Sequence, residues 1–146
     1  QAWQLWQQQK FEGAELMFQK AVEKDPTNAS AWNGLGWTVF NLGRPQAAQE
    51  AFEKCIQIDP KQGAAWNGLG WIAKGQGHTD EAIKHWEQAV KVMPNGTAAI
   101  NGLATAYMEE KDYAKAVTFY QMWLKVEPDN ADAKAGLEKA NSEMKQ

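Results

Sequence analysis

The chain has 146 residues, 44% hydrophobic and 23% charged, with a formal net charge of −3. Those proportions are normal for a folded soluble protein. No apolar run reaches the roughly 18 residues needed to span a bilayer, and the absence of a basic stripe argues against nucleic acid as a partner. One cysteine, Cys55, excludes an internal disulfide.

Taken in order, the chain reads as nine helices. The first two are predicted near 1–9 and 11–24, the second with Ala14, Phe18 and Ala21 facing inward and Pro26 beyond its end. Asn28 is placed to cap a helix over 29–42 whose apolar positions are Trp32, Leu35 and Val39. Gly43 stops that helix, because glycine accepts the left-handed residue that ends helices. Pro45 opens the next, over 45–58, at a position where proline forfeits no hydrogen bond. Asp59-Pro60 closes it, since proline disfavours helical geometry in the preceding residue. The same punctuation predicts helices near 63–76, 79–92, 97–110, 113–126 and 131–145, with corners at Gly75 to Gly77 and at Lys111-Asp112.

Pro26, Pro60, Pro94 and Pro128 are each 34 residues apart. The segment Ala31-Trp32-Asn33-Gly34-Leu35-Gly36-Trp37 recurs unchanged from Ala65 to Trp71, and more loosely from Ala99 to Thr105. Alanine then aromatic follows four residues apart in each copy: Ala14 and Phe18, Ala48 and Phe52, Ala82 and Trp86, Ala116 and Tyr120. This pattern resembles the tetratricopeptide repeat (TPR), whose 34-residue signature runs W-x2-L-G-x2-Y, then A-x3-F, then P. Val39 and Ala73 depart from its tyrosine, Ile100 from its tryptophan and Ala104 from its glycine. The resemblance implies an all-α, right-handed superhelical solenoid of antiparallel helix pairs. Its expected divisions are a partial first repeat over 1–28, repeats over 29–62, 63–96 and 97–130, and a capping helix over 131–146. That last helix keeps Leu137 but carries Lys134, Glu138 and Lys139, the polar outer side that ends a repeat array.

Small residues at Gly36, Gly70, Ala104, Ala48, Ala82 and Ala116 mark close helix approaches, and Phe18, Phe52, Trp86 and Tyr120 fill the space between units. Cys55 holds the register of Ala21 and Ala89 and reads as a small core residue. Asn28 and Asn95 fit the glycosylation pattern but are expected to be helix caps. Trp123 takes the same register as Cys55 and is expected to pack against Ala131 to Ala135.

The repeat does not require Trp3, Trp37 and Trp71, yet these too are 34 apart. Asn33, Asn67 and Asn101 lie four residues before Trp37, Trp71 and Thr105, on the same side of a helix. Trp6, Phe40 and Met108 extend the strip by a turn, with Lys74 in that register of the third unit. In TPR proteins the first helix of each unit lines a concave groove, and the resemblance implies that this face binds a peptide or extended segment. The candidate partner-binding residues are Trp3, Asn33, Trp37, Phe40, Asn67, Trp71, Lys74, Asn101 and Met108. An amide side chain both donates and accepts, which suits a peptide group of any sequence; tryptophan adds a flat apolar surface and one donor. The competing expectation is structural stacking, with Trp37 flat across Gly68 and Trp3 across Gly34. A carboxylate clamp is weakly matched, because Lys61 and Lys74 are its sole cations.

No catalytic constellation is present: His78 and His85 lack a nucleophile at a known spacing, and there is no phosphate loop or zinc motif. The expectation is a non-enzymatic adaptor without cofactor or metal, whose partner is a protein or peptide rather than nucleic acid or membrane. The alternative is self-assembly or docking through the N-terminal edge, with Trp3, Leu5 and Trp6. By the period, Gln1 falls midway through a helix, as in a piece cut from a longer protein. A soluble chain of the cytoplasm or periplasm is expected, with no signal-peptide pattern at its start.

Overall fold

The computed structural model describes residues 1–146. It contains nine helices: α1 (Ala2–Gln7), α2 (Phe11–Lys24), α3 (Ala29–Asn41), α4 (Pro45–Ile58), α5 (Gly63–Gly75), α6 (Thr79–Val92), α7 (Thr97–Glu109), α8 (Tyr113–Val126) and α9 (Ala131–Met144). No helix is long and apolar enough to cross a membrane. Each helix packs on the next in sequence, and the odd-numbered helices also touch their successors: α1 meets α3, α3 meets α5, and α5 meets α7. This is an all-α TPR solenoid. The first helices of the units (A helices: α1, α3, α5, α7) line up side by side, joined by second helices (B helices: α2, α4, α6, α8).

The corners between A and B helices repeat to the residue. Gln9, Gly43, Gly77 and Lys111, at intervals of 34, all have positive φ (60°, 80°, 81° and 62°). At each, the next N–H reaches back to the last helical turn: Lys10 to Leu5, Arg44 to Val39, His78 to Ala73 and Asp112 to Tyr107, at 2.8–3.0 Å. That is the Schellman closure of a helix. Two copies use glycine; Gln9 and Lys111 hold the same shape without it. The corner at Gln9 also explains why α1 ends at Gln7 rather than near residue 9.

The joints between units follow the prolines. Asp25 and Asp59 are extended, as a residue before proline prefers. Asp25 accepts from the backbone and hydroxyl of Thr27 (3.0 and 2.6 Å), which holds its carboxyl below the ordinary value. The repeat's tryptophans then tie this joint to the next A helix: Trp32 Nε1 donates to the Pro26 carbonyl (2.9 Å) and Trp66 Nε1 to the Pro60 carbonyl (2.8 Å). Ile100 has no donor to offer Pro94. Asn28 caps α3 by accepting from the Ala31 N–H. The expected cap at Asn95 is corrected: α7 begins from Gly96, without a side-chain cap.

The aromatics of the B helices are the core of each joint. A Cβ on Gly36 would lie 2.5 Å from Phe52 Cε1, and one on Gly68 would lie 2.5 Å from Cε2 on the other side of the same ring. Trp86 fits likewise between Gly70 and Gly102, Phe18 lies on Gly34 and Tyr120 on Gly136. Phe52 and Trp86 are wholly buried. Ring contact rather than backbone conformation holds glycine at the register of Gly34, Gly68, Gly102 and Gly136, whereas the register of Gly36 and Gly70 also admits Ala104. Trp123 is buried, stacks on Tyr120 at 6.4 Å and shares a cluster with Ala133 of α9. Cys55 is fully buried, and burial pushes its thiol up to about 11.

Candidate functional site: the tryptophan and asparagine ladder

The indoles at the 34-residue register do not lie across the glycines of the next unit. Phe18 and Phe52 occupy Gly34 and Gly68 instead. Each indole meets the B-helix ring of its own unit edge-on: Trp3 on Phe18 (centroids 5.0 Å, 74°), Trp37 on Phe52 (5.3 Å, 69°) and Trp71 on Trp86 (5.0 Å, 73°). Edge-to-face geometry places the positive rim of one ring on the negative face of the other. Trp37 and Trp71 are half-buried and Trp3 is exposed. The flat-stacking arrangement is therefore corrected: the glycine space is filled by the B-helix ring, and the ladder indoles meet that ring edge-on instead.

The three asparagines share a register but not a partner. Each lies 19 residues before its unit's B-helix aromatic. Asn67 Oδ1 accepts from Trp86 Nε1 at 3.1 Å. Asn101 Oδ1 accepts from the Thr105 hydroxyl at 3.2 Å. In the second unit the position of Trp86 is held by Phe52, which has no N–H; Asn33 is buried and its Oδ1 has no partner. Two of the three carbonyls already accept a hydrogen bond within the protein, while the amide NH2 groups of Asn67 and Asn101 donate none there.

Phe40 is half-buried and meets Trp37 edge-on at 5.7 Å. Lys74 is not a free groove cation: its Nζ lies 5.4 Å from the Trp71 ring centroid and 3.4 Å from Glu109 Oε1 of the next A helix. It bridges α5 to α7 and covers part of the indole.

Beyond Trp71 the ladder lapses. Thr105 takes the register, and Tyr120 is the B-helix ring beneath it. A recess of about 500 Å³ opens there, lined by Thr105, Met108, Tyr113, Tyr120, Lys139 and Glu143 among others. Met108, predicted as a groove residue, is part of this wall. Burial lifts the Tyr120 phenol above its ordinary value, so it is neutral. Sequence reasoning named Met108 but neither the recess nor its other walls; the signal was the change from tryptophan to threonine at 105.

No grouping of His, Cys, Asp and Glu in the chain could hold a metal ion. Among solved structures, several resemble the whole chain. Two crystal structures of MamA align with TM-scores of 0.83 and 0.82 at 22% identity, covering 98% and 95% of this chain and 78% and 81% of theirs. PilF of Pseudomonas aeruginosa aligns at 0.87 and 19% identity, covering 99% of this chain and 66% of its own. YrrB, described as a TPR protein with an unusual peptide-binding site, aligns at 0.78 and 22%, covering 99% and 74%. At these identities the likeness is one of fold. A search of curated proteins returned no match. Residues 4–134 match the TPR domain of cytochrome c-type biogenesis protein H, and the chain belongs to that family.

Proposed function

We propose that the chain is a protein-binding module that holds an extended segment of a partner polypeptide along its ladder face, and that the partner belongs to the assembly of c-type cytochromes, the process in the family's name. The indoles carry this reading. Trp37 and Trp71 are anchored by contact with a buried ring, which fixes their orientation, and they keep part of their surface open. A preorganised aromatic loses little side-chain entropy on binding, the condition under which such residues become hot spots. The NH2 groups of Asn67 and Asn101 beside them suit backbone carbonyls of the bound segment. YrrB, of similar fold, is described as binding peptide.

The test is titration with an unfolded c-type cytochrome polypeptide lacking haem. Trp71→Ala is expected to weaken binding by about 2 kcal/mol, roughly thirtyfold, the scale of an interface hot spot. Unchanged affinity in a variant with intact helical content refutes the groove reading. Self-association is the second reading, favoured by Trp3 and Leu16, which are 39% and 53% exposed near the N-terminus. Sedimentation over a range of concentrations decides it, and a strict monomer removes it.

A further inference from the structure

We propose that the recess at Thr105 receives an aromatic side chain from an acidic stretch of the partner, which supplies from outside the rung that the ladder lacks. This deepens the groove reading and rests on it.

Three of the four units place an indole edge-on against the B-helix ring, 15 residues before that ring in sequence: Trp3 on Phe18, Trp37 on Phe52 and Trp71 on Trp86. The fourth unit keeps the ring, as Tyr120, and puts Thr105 at the indole's position. Threonine is much the smaller: its hydroxyl donates to Asn101 Oδ1 and lies near the Tyr120 phenol oxygen, and no indole stands against the ring. The resulting space, about 500 Å³, falls within the range of pockets that hold a small organic group. Its walls are those an aromatic ring favours: the Tyr120 ring, the Tyr113 ring and the Met108 thioether, which makes favourable contacts with ring edges.

Charge selects the occupant further. Four charged side chains rim the recess: Glu109, Lys111, Lys139 and Glu143. Glu109 is paired with Lys74, whereas Lys111 and Lys139 enter none of the chain's ion pairs. The balance left to a ligand is two cations against Glu143. An aromatic residue flanked by carboxylates fits this rim, and one flanked by lysines does not. Lys139 itself stands 34 residues after Thr105, at the ladder register in α9, so the strip ends in a cation where the first three units have an indole.

The experiment is an NMR titration of the full chain with three capped tripeptides: Glu-Trp-Glu, Glu-Ala-Glu and Lys-Trp-Lys. Glu-Trp-Glu is expected to shift the amides of Thr105, Met108 and Tyr120, and to bind at least tenfold more tightly than either control. Thr105→Trp fills the recess from within and is expected to lower that affinity at least tenfold. Lys139→Glu, a change at an exposed position, should lower it severalfold whether or not the Thr105 variant folds. Equal binding of the alanine peptide, shifts confined to other units, or indifference to Lys139→Glu overturns the proposal. So does a chain that dimerises at titration concentrations with a second copy's Trp3 in the recess. Trp71→Ala should leave tripeptide affinity within about twofold while weakening the whole polypeptide. If only the tripeptide arm fails, the recess inference falls and the groove reading stands; if Trp71→Ala fails to weaken the polypeptide, both fall.

Discussion

Gly68 and Gly75 lie in the same helix, α5, and the same substitution at the two should act in opposite directions. At either position, alanine in place of glycine favours a helix by up to about 1 kcal/mol. Around Gly75 nothing lies within 4 Å of an added Cβ, so the propensity gain is unopposed, although its place at the helix end reduces it to about 0.5 kcal/mol. Around Gly68 the new methyl would sit 2.5 Å from both Cε2 and Cζ of Phe52. The ring has little room to withdraw, because its opposite side is seated on Gly36, where an added Cβ would likewise lie 2.5 Å away. Overpacking of this kind costs about 1–3 kcal/mol. Subtracting the propensity gain leaves Gly68→Ala less stable by up to about 2 kcal/mol. Urea unfolding followed by circular dichroism reads both variants directly. Thermal midpoints should move down by several degrees for Gly68→Ala and up slightly for Gly75→Ala. Equal shifts, or a Gly68→Ala protein as stable as the parent, would refute the claim that ring contact holds glycine at this register. The sequence agrees with the claim: Gly34, Gly68, Gly102 and Gly136 are glycine in every copy, whereas the neighbouring register admits Ala104.

Two further outcomes follow from the corners and the core. Lys111→Gly should raise stability by about 0.5–1 kcal/mol, since it removes a left-handed non-glycine residue and returns part of the gain as chain entropy; Gly77→Ala should lower it by about 1 kcal/mol, and a destabilised Lys111→Gly protein would sink the account. Burial, helped by the Asp59 charge, holds the Cys55 thiol at about 11 against 9.0 when unfolded, so alkylation at pH 8 should be at least about 100-fold slower in the folded chain than in denaturant. The same shift favours the protonated native state. Its stabilising contribution is whole below pH 9 and falls as pH rises toward about 11, where a declining urea midpoint should appear; a midpoint that rises over this window contradicts it.

Most of the helix pattern was legible because it is written in punctuation: proline after each B helix and glycine at two corners place eight of the helices within a residue or so. The end of α1 was not, because Gln8 and Gln9 turn the corner without glycine or proline to mark it. The ladder's register was equally visible, but its contacts were not. Which ring covers Gly68 depends on how far one unit is displaced and rotated relative to the next, and nothing local encodes that offset. The asparagines show the limit most plainly. Asn33 and Asn67 stand in identical heptapeptides, yet one carbonyl is bonded and the other is orphaned, because the residue 19 positions later is Phe52 in one case and Trp86 in the other. Lys74 likewise read as a groove cation until Glu109, one unit on, was seen beside it.

The seating of Phe52 between two glycines has a consequence for motion. A phenyl ring exchanges its two edges by half-turns about its axis, and each half-turn sweeps a volume larger than the ring at rest. Here the two edges are held by different units, Gly36 of α3 on one side and Gly68 of α5 on the other. Neither can yield without the joint between the units opening. The frequency of that half-turn, visible as separate or merged resonances for the paired ring protons, therefore counts how often the solenoid flexes at this joint.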